Sequence, residues 1–235
     1  MQPLTVLVFL LPFVLLYELG SVFYLADEAG RIGETVAAYR IMAKFFEFFG
    51  AFGLYLPGLA LVTVLLIQHA ISNDRWRVRP SVLGLMGAES VVLTTPLLLM
   101  ALVFGSPAAA QAGEALSAWP VQARLTIAVG AGLYEELLFR MVLIAMVHTL
   151  AVDLAGLGQK LGSITAVLVS AAAFAFYHDL SGGDGSTDVR LLLFLFLAGI
   201  YFGTLYLARG FGIVVAVHML YDTVVLVLIQ PHGTG

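Results

Sequence analysis

Ionisable side chains stand inside otherwise apolar stretches in the second half of this sequence. They are Glu135, Glu136 and Arg140 in one stretch, His178 at the end of the next, and His218 with Asp222 in the last. A charged residue at the centre of a membrane helix costs about 2.5–3.5 kcal/mol to insert, so such residues are functional candidates. Glutamate and histidine together commonly activate water, as a general base or as metal ligands. These residue types therefore indicate hydrolysis within a membrane.

The two adjacent glutamates are predicted to differ in their partners. On a helix that turns about 100° per residue, Glu136 and Arg140 lie about 40° apart and can pair on one face. Glu135 points about 100° away from Glu136 and need not share that arginine. An acid without a counter-ion in a low-dielectric site suits a general base. A buried ion pair that only fixes the helix register is the other explanation for Glu136 and Arg140.

Each histidine motif also has a simpler explanation. Because His178 closes its apolar stretch, it can be an interfacial residue beside Tyr177, an aromatic of the membrane belt. His218 and Asp222 are spaced i, i+4, so they can form a hydrogen bond that only stabilises the helix. In the middle of a span, the free-energy cost of inserting this pair exceeds the stability that one such hydrogen bond gives. We therefore favour a functional role for His218 and Asp222.

Other polar positions carry less information. Glu18, Glu89 and His148 have no partner nearby in the sequence and are expected to pack or pair. His69, at the end of a stretch, and His232, in the tail, carry no functional signal. The HExxH zinc motif, a GxSG serine and the dinucleotide-binding glycine pattern are all absent. The chain contains no cysteine, which excludes disulfides, thiolate metal sites and a cysteine nucleophile.

The elements that must position these side chains are predicted to be membrane-spanning helices. Of the 235 residues, 61% are hydrophobic and only 11% are charged, whereas ordinary globular chains contain about 25% charged residues. Backbone groups within a bilayer have no water to bond with, so the spans must be helical. The expected fold class is all-α, a polytopic transmembrane helical bundle in one integral-membrane domain. The net charge of −4 argues against nucleic acid as a partner.

Charges and turn residues divide the sequence into seven apolar stretches. They cover about residues 4–26, 48–70, 82–104, 123–150, 161–177, 191–208 and 213–229. Residues 27–47 mix charges with Ile and Phe, which predicts an amphipathic segment on the membrane surface or over the bundle. A connecting helix or an eighth span is the alternative there. We therefore expect seven or eight spans, with residues 1–120 forming the N-terminal part and residues 121–235 carrying the polar motifs.

The orientation in the membrane is left open by the basic residues. One side takes Arg75, Arg77, Arg79, Lys160 and Arg209, and the other takes Arg31, Arg40, Lys44, Arg124 and Arg190. The count is tied, although the cluster at residues 75–79 slightly favours a cytoplasmic N-terminus. The start of the chain lacks a basic region, so no cleavable signal peptide is predicted. A multi-pass protein of the cell membrane is expected.

The three motifs together resemble those of a known family. Glu135-Glu136-xxx-Arg140, Phe174-xxx-His178 and His218-xxx-Asp222 are similar, in this order, to EExxxR, FxxxH and HxxxN/D. These are the motifs of the CPBP family of intramembrane proteases, also called the Abi or type II CAAX prenyl endopeptidase family. The segment from Gly199 to Gly210 also looks like the family's small-residue helix and turn. The resemblance covers about residues 125–228. The interpretation of residues 1–120 depends on hydropathy alone.

The resemblance implies peptide-bond hydrolysis inside a helical bundle. Glu135 and His178 would hold and activate the attacking water, and His218 with the residue four positions later would stabilise the tetrahedral oxyanion. Glu136 and Arg140 would brace the site.

Asp222 departs from the asparagine that many family members have at this position. An ionised aspartate cannot donate a hydrogen bond to an oxyanion. Asp222 is therefore either protonated, or it orients His218 and leaves donation to that ring. No cofactor is favoured, and zinc held by Glu135, His178 and His218 is the alternative.

The expected partners are the lipid bilayer and a membrane-bound peptide or protein substrate, with CAAX-type tails only implied by the resemblance. The sequence leaves the substrate's identity and the oligomeric state open. A non-catalytic membrane scaffold or chaperone-like protein would retain the same polar cluster for structure or binding. A proton-coupled transporter would be expected to show a repeated half with broken helices, and no such repeat is visible.

Overall fold

The computed structural model describes residues 2–26, 36–48, 50, 55–104, 116, 118–182 and 186–229. These residues form eight helices of three or more turns. They are α1 (Pro3–Leu25), α2 (Ala37–Phe48), α3 (Leu56–Ser72), α4 (Pro80–Phe104), α5 (Val121–Leu154), α6 (Gln159–Tyr177), α7 (Val189–Arg209) and α8 (Phe211–Leu228). No β-strand is present in the described part of the chain. The predicted all-α fold is confirmed.

Six of these helices, all except α2 and α3, are long and apolar enough to cross a membrane. Helix α3 has 17 residues, which is the lower limit for a span at 1.5 Å per residue. Its predicted start at residue 48 is wrong, because the helix begins at Leu56. The chain is a multi-pass integral membrane protein with a helical bundle of the predicted size.

The predicted amphipathic segment is described only in its second half, since residues 27–35 lie outside the described residues. There, α2 contains 12 residues, about 18 Å of helix and too short to span a bilayer. It buries Ala38 and Tyr39 while exposing Phe45 and Phe48. Helix α2 therefore covers the bundle with one face, and its 12 described residues do not by themselves make an eighth span.

Small residues allow two close helix contacts that position the polar motifs. A Cβ atom added at Gly132 of α5 would lie 2.8 Å from the backbone nitrogen of Met219 in α8. One added at Gly199 of α7 would lie 2.8 Å from the Cα atom of Ala171 in α6. Because real Cβ atoms cannot approach so closely, glycine at these two positions sets the spacing of the helices that carry the site.

Helix α5 is not a uniform α-helix. Residues Val121–Glu136 are α-helical, and the backbone then widens to a π-helical turn over Leu137–Leu143. Such turns are rare and occur often at functional sites. Here the wide turn begins directly after the paired glutamates and includes Arg140.

The helices alternate in direction, which gives the bundle two distinct ends. Gly58 near the start of α3 faces Glu18 near the end of α1, so these two helices run in opposite directions. One end of the bundle therefore has the starts of α1 and α4 and the end of α3. The other end has the end of α6 and the start of α7.

The isolated ionisable residues outside the motifs pair or pack, as expected. Glu18 accepts a hydrogen bond of 2.7 Å from the hydroxyl group of Tyr134. Glu89 of α4 forms an ion pair with Arg209 at the end of α7. His148 is half-buried in α5. The connection between α6 and α7 contains, in its described part, one isolated β-bridge between Ser181 and Thr187.

Candidate active site

The structure brings all six predicted site residues together in the bundle. Three come from α5, one from the end of α6 and two from α8. Four of them, Glu135, His178, His218 and Asp222, line one cavity of about 340 Å³. Glu136 and Arg140 lie behind this cavity and are completely buried.

Glu136 is the central acceptor behind the cavity. One of its carboxylate oxygens lies 2.7 Å from Nδ1 of His218, and the other lies 3.1 Å from Nε of Arg140. An ionised carboxylate only accepts hydrogen bonds, so Nδ1 of His218 carries a proton and donates it. The predicted pairing of Glu136 with Arg140 on one helix face is present. Because Glu136 also accepts the hydrogen bond from His218, it fixes the orientation of that ring. This contact links α5 to α8.

Three aromatic rings enclose Arg140. The centre of its guanidinium group lies 4.3 Å from the ring centroid of Phe174, 5.2 Å from that of Phe202 and 5.8 Å from that of Phe139. Cation–π contacts of this kind strengthen where water is excluded. Phe202 also stacks on His218, at 4.6 Å between centroids and 21° between planes. Phe202 therefore contacts both Arg140 and His218.

His178 stands at the end of α6, where its ring is fixed by the backbone. Its Nδ1 lies 2.8 Å from the carbonyl oxygen of Phe174. Because a carbonyl oxygen only accepts, Nδ1 must carry the proton, and the neutral ring then has a free lone pair on Nε2. The side chain is 29% exposed, and it faces the cavity rather than lying only at the membrane interface.

Glu135 lies between the two histidine rings without directly contacting either. Its Oε2 atom is 3.9 Å from Nε2 of His178 and 4.0 Å from Nε2 of His218. These separations are too long for hydrogen bonds but suit a single bridging water molecule. Glu135 forms no ion pair with Arg140 among the described residues, as the helical geometry predicted.

Asp222 lies on the same side of His218 as Glu135. Its Oδ2 atom is 3.4 Å from Nε2 of His218. The two ring nitrogens of His218 therefore face different carboxylates, Glu136 at Nδ1 and Asp222 at Nε2. This arrangement accommodates a proton on each nitrogen.

The rest of the cavity is mainly apolar. Its apolar lining consists of Leu97, Phe174, Leu191, Phe194, Leu195, Ala198, Phe202, Val225 and Leu226. Asp179 also borders the cavity and follows α6 directly. Hydrogen bonds from the hydroxyl and backbone N–H groups of Ser181 hold the pKa of Asp179 below its usual range. The cavity therefore combines an apolar wall with a fixed negative charge beside it.

Sequence reasoning did not find two residues that contact the site. Phe202 stacks on His218 from α7, and its position between Gly199 and Gly203 was the only signal available. Tyr177 was interpreted as a belt aromatic, but its ring packs edge-on against Phe139, one of the rings around Arg140, at 5.2 Å between centroids. Its ring also packs edge-on against His178 at 5.1 Å. Adjacency to the histidine motif could have suggested this role.

The zinc alternative can be compared with the distances between the proposed ligands. Atoms that bind a tetrahedral zinc ion at about 2.0–2.2 Å lie about 3.4 Å from one another. Glu135 Oε2 stands farther than this from both histidine Nε2 atoms. Among the described residues, no group of three His, Cys, Asp or Glu side chains is arranged to hold a metal ion. Glu135, His178 and His218 therefore do not form the zinc site that was the alternative.

Fold and site together define a class: a polytopic helical membrane protein with a glutamate–histidine cluster inside its bundle. Residues 117–224 match the family model described as type II CAAX prenyl endopeptidase Rce1-like. The resemblance inferred from the three motifs is confirmed for residues 117–224, which make up somewhat less than half of the chain and are similar to that family. The match includes all six predicted site residues. No curated protein and no solved structure matches the chain.

Proposed function

We propose that the protein is an intramembrane endopeptidase that hydrolyses peptide bonds of membrane-associated or prenylated (CAAX-type) substrates. One observation carries the proposal. The gap of about 4 Å between Glu135 and the Nε2 atoms of His178 and His218 is the right size for one water molecule. That gap opens into a largely apolar cavity in which a peptide segment can lie.

In the proposed mechanism, Glu135 and His178 both accept hydrogen bonds from the attacking water. The lone pair on Nε2 of His178 and the carboxylate of Glu135 orient the water's oxygen toward the scissile carbonyl carbon. A proton passes from the water to Glu135 as the new C–O bond forms. Glu135 then gives this proton to the leaving amine as the C–N bond breaks.

His218 is proposed to stabilise the oxyanion that forms during this attack. Its Nδ1–H group is held by Glu136, so the Nε2 atom is aimed at the gap. With Asp222 beside Nε2, a proton on that nitrogen can be donated to the oxyanion. Of the two predicted roles for Asp222, this geometry favours support of His218 over direct donation.

The cavity favours a short apolar segment of substrate. A volume of about 340 Å³ lies near the lower end of the range for small-molecule pockets, about 300–1,000 Å³. Such a volume accommodates a few residues of an extended peptide with apolar side chains. It does not accommodate a folded domain.

The test uses purified protein in detergent with a library of apolar peptides, and cleavage is followed by mass spectrometry. We expect Glu135→Ala and His178→Ala to abolish cleavage. Glu47→Ala on α2 and His148→Ala on α5 are matched controls, because both residues lie outside the site. Cleavage by both site variants at the parent's rate would refute the roles proposed for Glu135 and His178. Absence of cleavage by the parent protein would instead leave the non-catalytic scaffold as the explanation.

A further inference from the structure

A second cavity lies at the opposite end of the bundle from the glutamate–histidine cluster. It has a volume of about 740 Å³ and lies between the first turn of α1 and the connection from α3 to α4. Its polar lining consists of Gln2, Thr5, Arg75, Arg77, Arg79 and Ser81. It shares no lining residue with the candidate active site.

The three arginines of this cavity have uncompensated charges. None of them forms an ion pair with any residue that the structure describes. Asp74, the acid between them and α3, accepts a hydrogen bond of 3.1 Å from the hydroxyl group of Ser72. The planar guanidinium group matches the geometry of a phosphate, to which it can donate two hydrogen bonds. Three such groups around one cavity favour an anionic, phosphate-bearing ligand.

The position of the cavity relative to the apolar helices indicates the source of that phosphate. Helix α3 ends at Ser72 and α4 begins at Pro80, so the arginines stand where two apolar helices leave the membrane. Ile71 and Leu85, just inside that level, are 75% and 67% exposed. Trp76 is exposed and packs edge-on against His69, as is common at a membrane–water interface. Headgroups and acyl chains of lipids meet at this depth.

We propose that the arginine cavity binds the headgroup phosphate of an anionic phospholipid, whose acyl chains lie along the exposed faces of α3 and α4. Basic clusters near a membrane surface attract anionic lipids, and here the charges converge on a defined cavity. The proposal does not depend on peptide hydrolysis, since the two cavities are separate.

The experiment titrates purified full-length protein in neutral detergent with phosphatidylglycerol, phosphatidylcholine or inorganic phosphate. Native mass spectrometry measures the bound fraction. One variant carries Arg75→Gln, Arg77→Gln and Arg79→Gln. A matched control loses the same charge from exposed positions at the other end of the bundle, through Arg40→Gln, Lys44→Gln and Arg190→Gln. Melting temperatures in detergent alone verify that both variants fold.

We expect the parent to bind phosphatidylglycerol about tenfold or more tightly than phosphatidylcholine. The arginine variant should lose this preference, while the control variant keeps it. If the arginine variant fails to fold, salt provides the second measurement on the parent protein. Raising the ionic strength from about 0.1 to about 1 M should weaken phosphatidylglycerol binding far more than phosphatidylcholine binding.

Two results would overturn the proposal. Equal losses in the two variants would show general charge attraction without a specific site. Full displacement of the lipid by inorganic phosphate at equal concentration would show a site for free phosphate.

Discussion

Arg140 has no contact with water and is held by Glu136 and by aromatic rings. Removing one member of a buried ion pair leaves the other charge uncompensated, at a cost of about 3–5 kcal/mol. We therefore expect Arg140→Met to lower the free energy of unfolding by about that amount. Thermal unfolding in detergent measures the change, with Arg190→Met at an exposed position as the control. An Arg140→Met protein that melts with the parent would contradict the bracing role.

Asp222 offers a more selective test at the residue scale. Asn in its place keeps the size and gains an N–H donor toward the oxyanion, while Leu removes all polarity. If Asp222 supports His218 without touching the water, Asp222→Asn should retain cleavage within about tenfold, and Asp222→Leu should lose about a hundredfold or more.

The rates of both Asp222 variants are measured as kcat/KM across pH 5–9. A shifted pH profile in Asp222→Asn is expected because a carboxylate beside the His218 ring has gone. A loss in Asp222→Asn as large as that in Glu135→Ala would instead assign Asp222 a direct part in water activation.

At the scale of elements, the contact of α5 with α8 holds the two glutamates beside His218. A side chain at Gly132 collides with backbone atoms of α8, so Gly132→Ala should cost about 1–3 kcal/mol and reduce cleavage. Gly87 in α4 is the matched control, because a Cβ atom there meets nothing within 4 Å. Gly87→Ala should leave the melting temperature unchanged or slightly raised. Equal melting temperatures for the two variants would show that the α5–α8 contact is not tight.

The sequence predicted the helices better than their contacts. Hydropathy located the spans, and helical spacing correctly paired Glu136 with Arg140. The start of α3 was missed because Phe48 is apolar, so hydropathy merges the end of α2 with the next span. The stacking of Phe202 on His218 depends on how two separate helices are rotated about their axes. Spacing within one helix carries no information on that rotation, and the π-helical turn in α5 likewise has no sequence signal.

At the scale of the whole molecule, the two ends of the bundle differ in their available positive charge. The arginine cavity has three uncompensated arginines, with Lys160 at the same end. At the other end, Arg124 is half-buried and donates to the carbonyl oxygen of Leu226 at 3.1 Å. The count of basic residues stays tied, but three of them are concentrated in the short connection between α3 and α4, at the end with the arginine cavity. The positive-inside rule then predicts that this end faces the cytoplasm.

This orientation determines which substrates can reach the candidate active site, because His178 and the cavity mouth lie at the opposite end. An outward-facing site favours exported or membrane-inserted peptides over prenylated tails, which are cytoplasmic. The absence of native cysteine permits a direct test with single cysteines at two exposed positions, Ala155→Cys and Thr187→Cys. In intact cells, an impermeant maleimide should label Thr187→Cys but reach Ala155→Cys only after permeabilisation. The reverse pattern would place the site on the cytoplasmic side and make prenylated tails the favoured substrates.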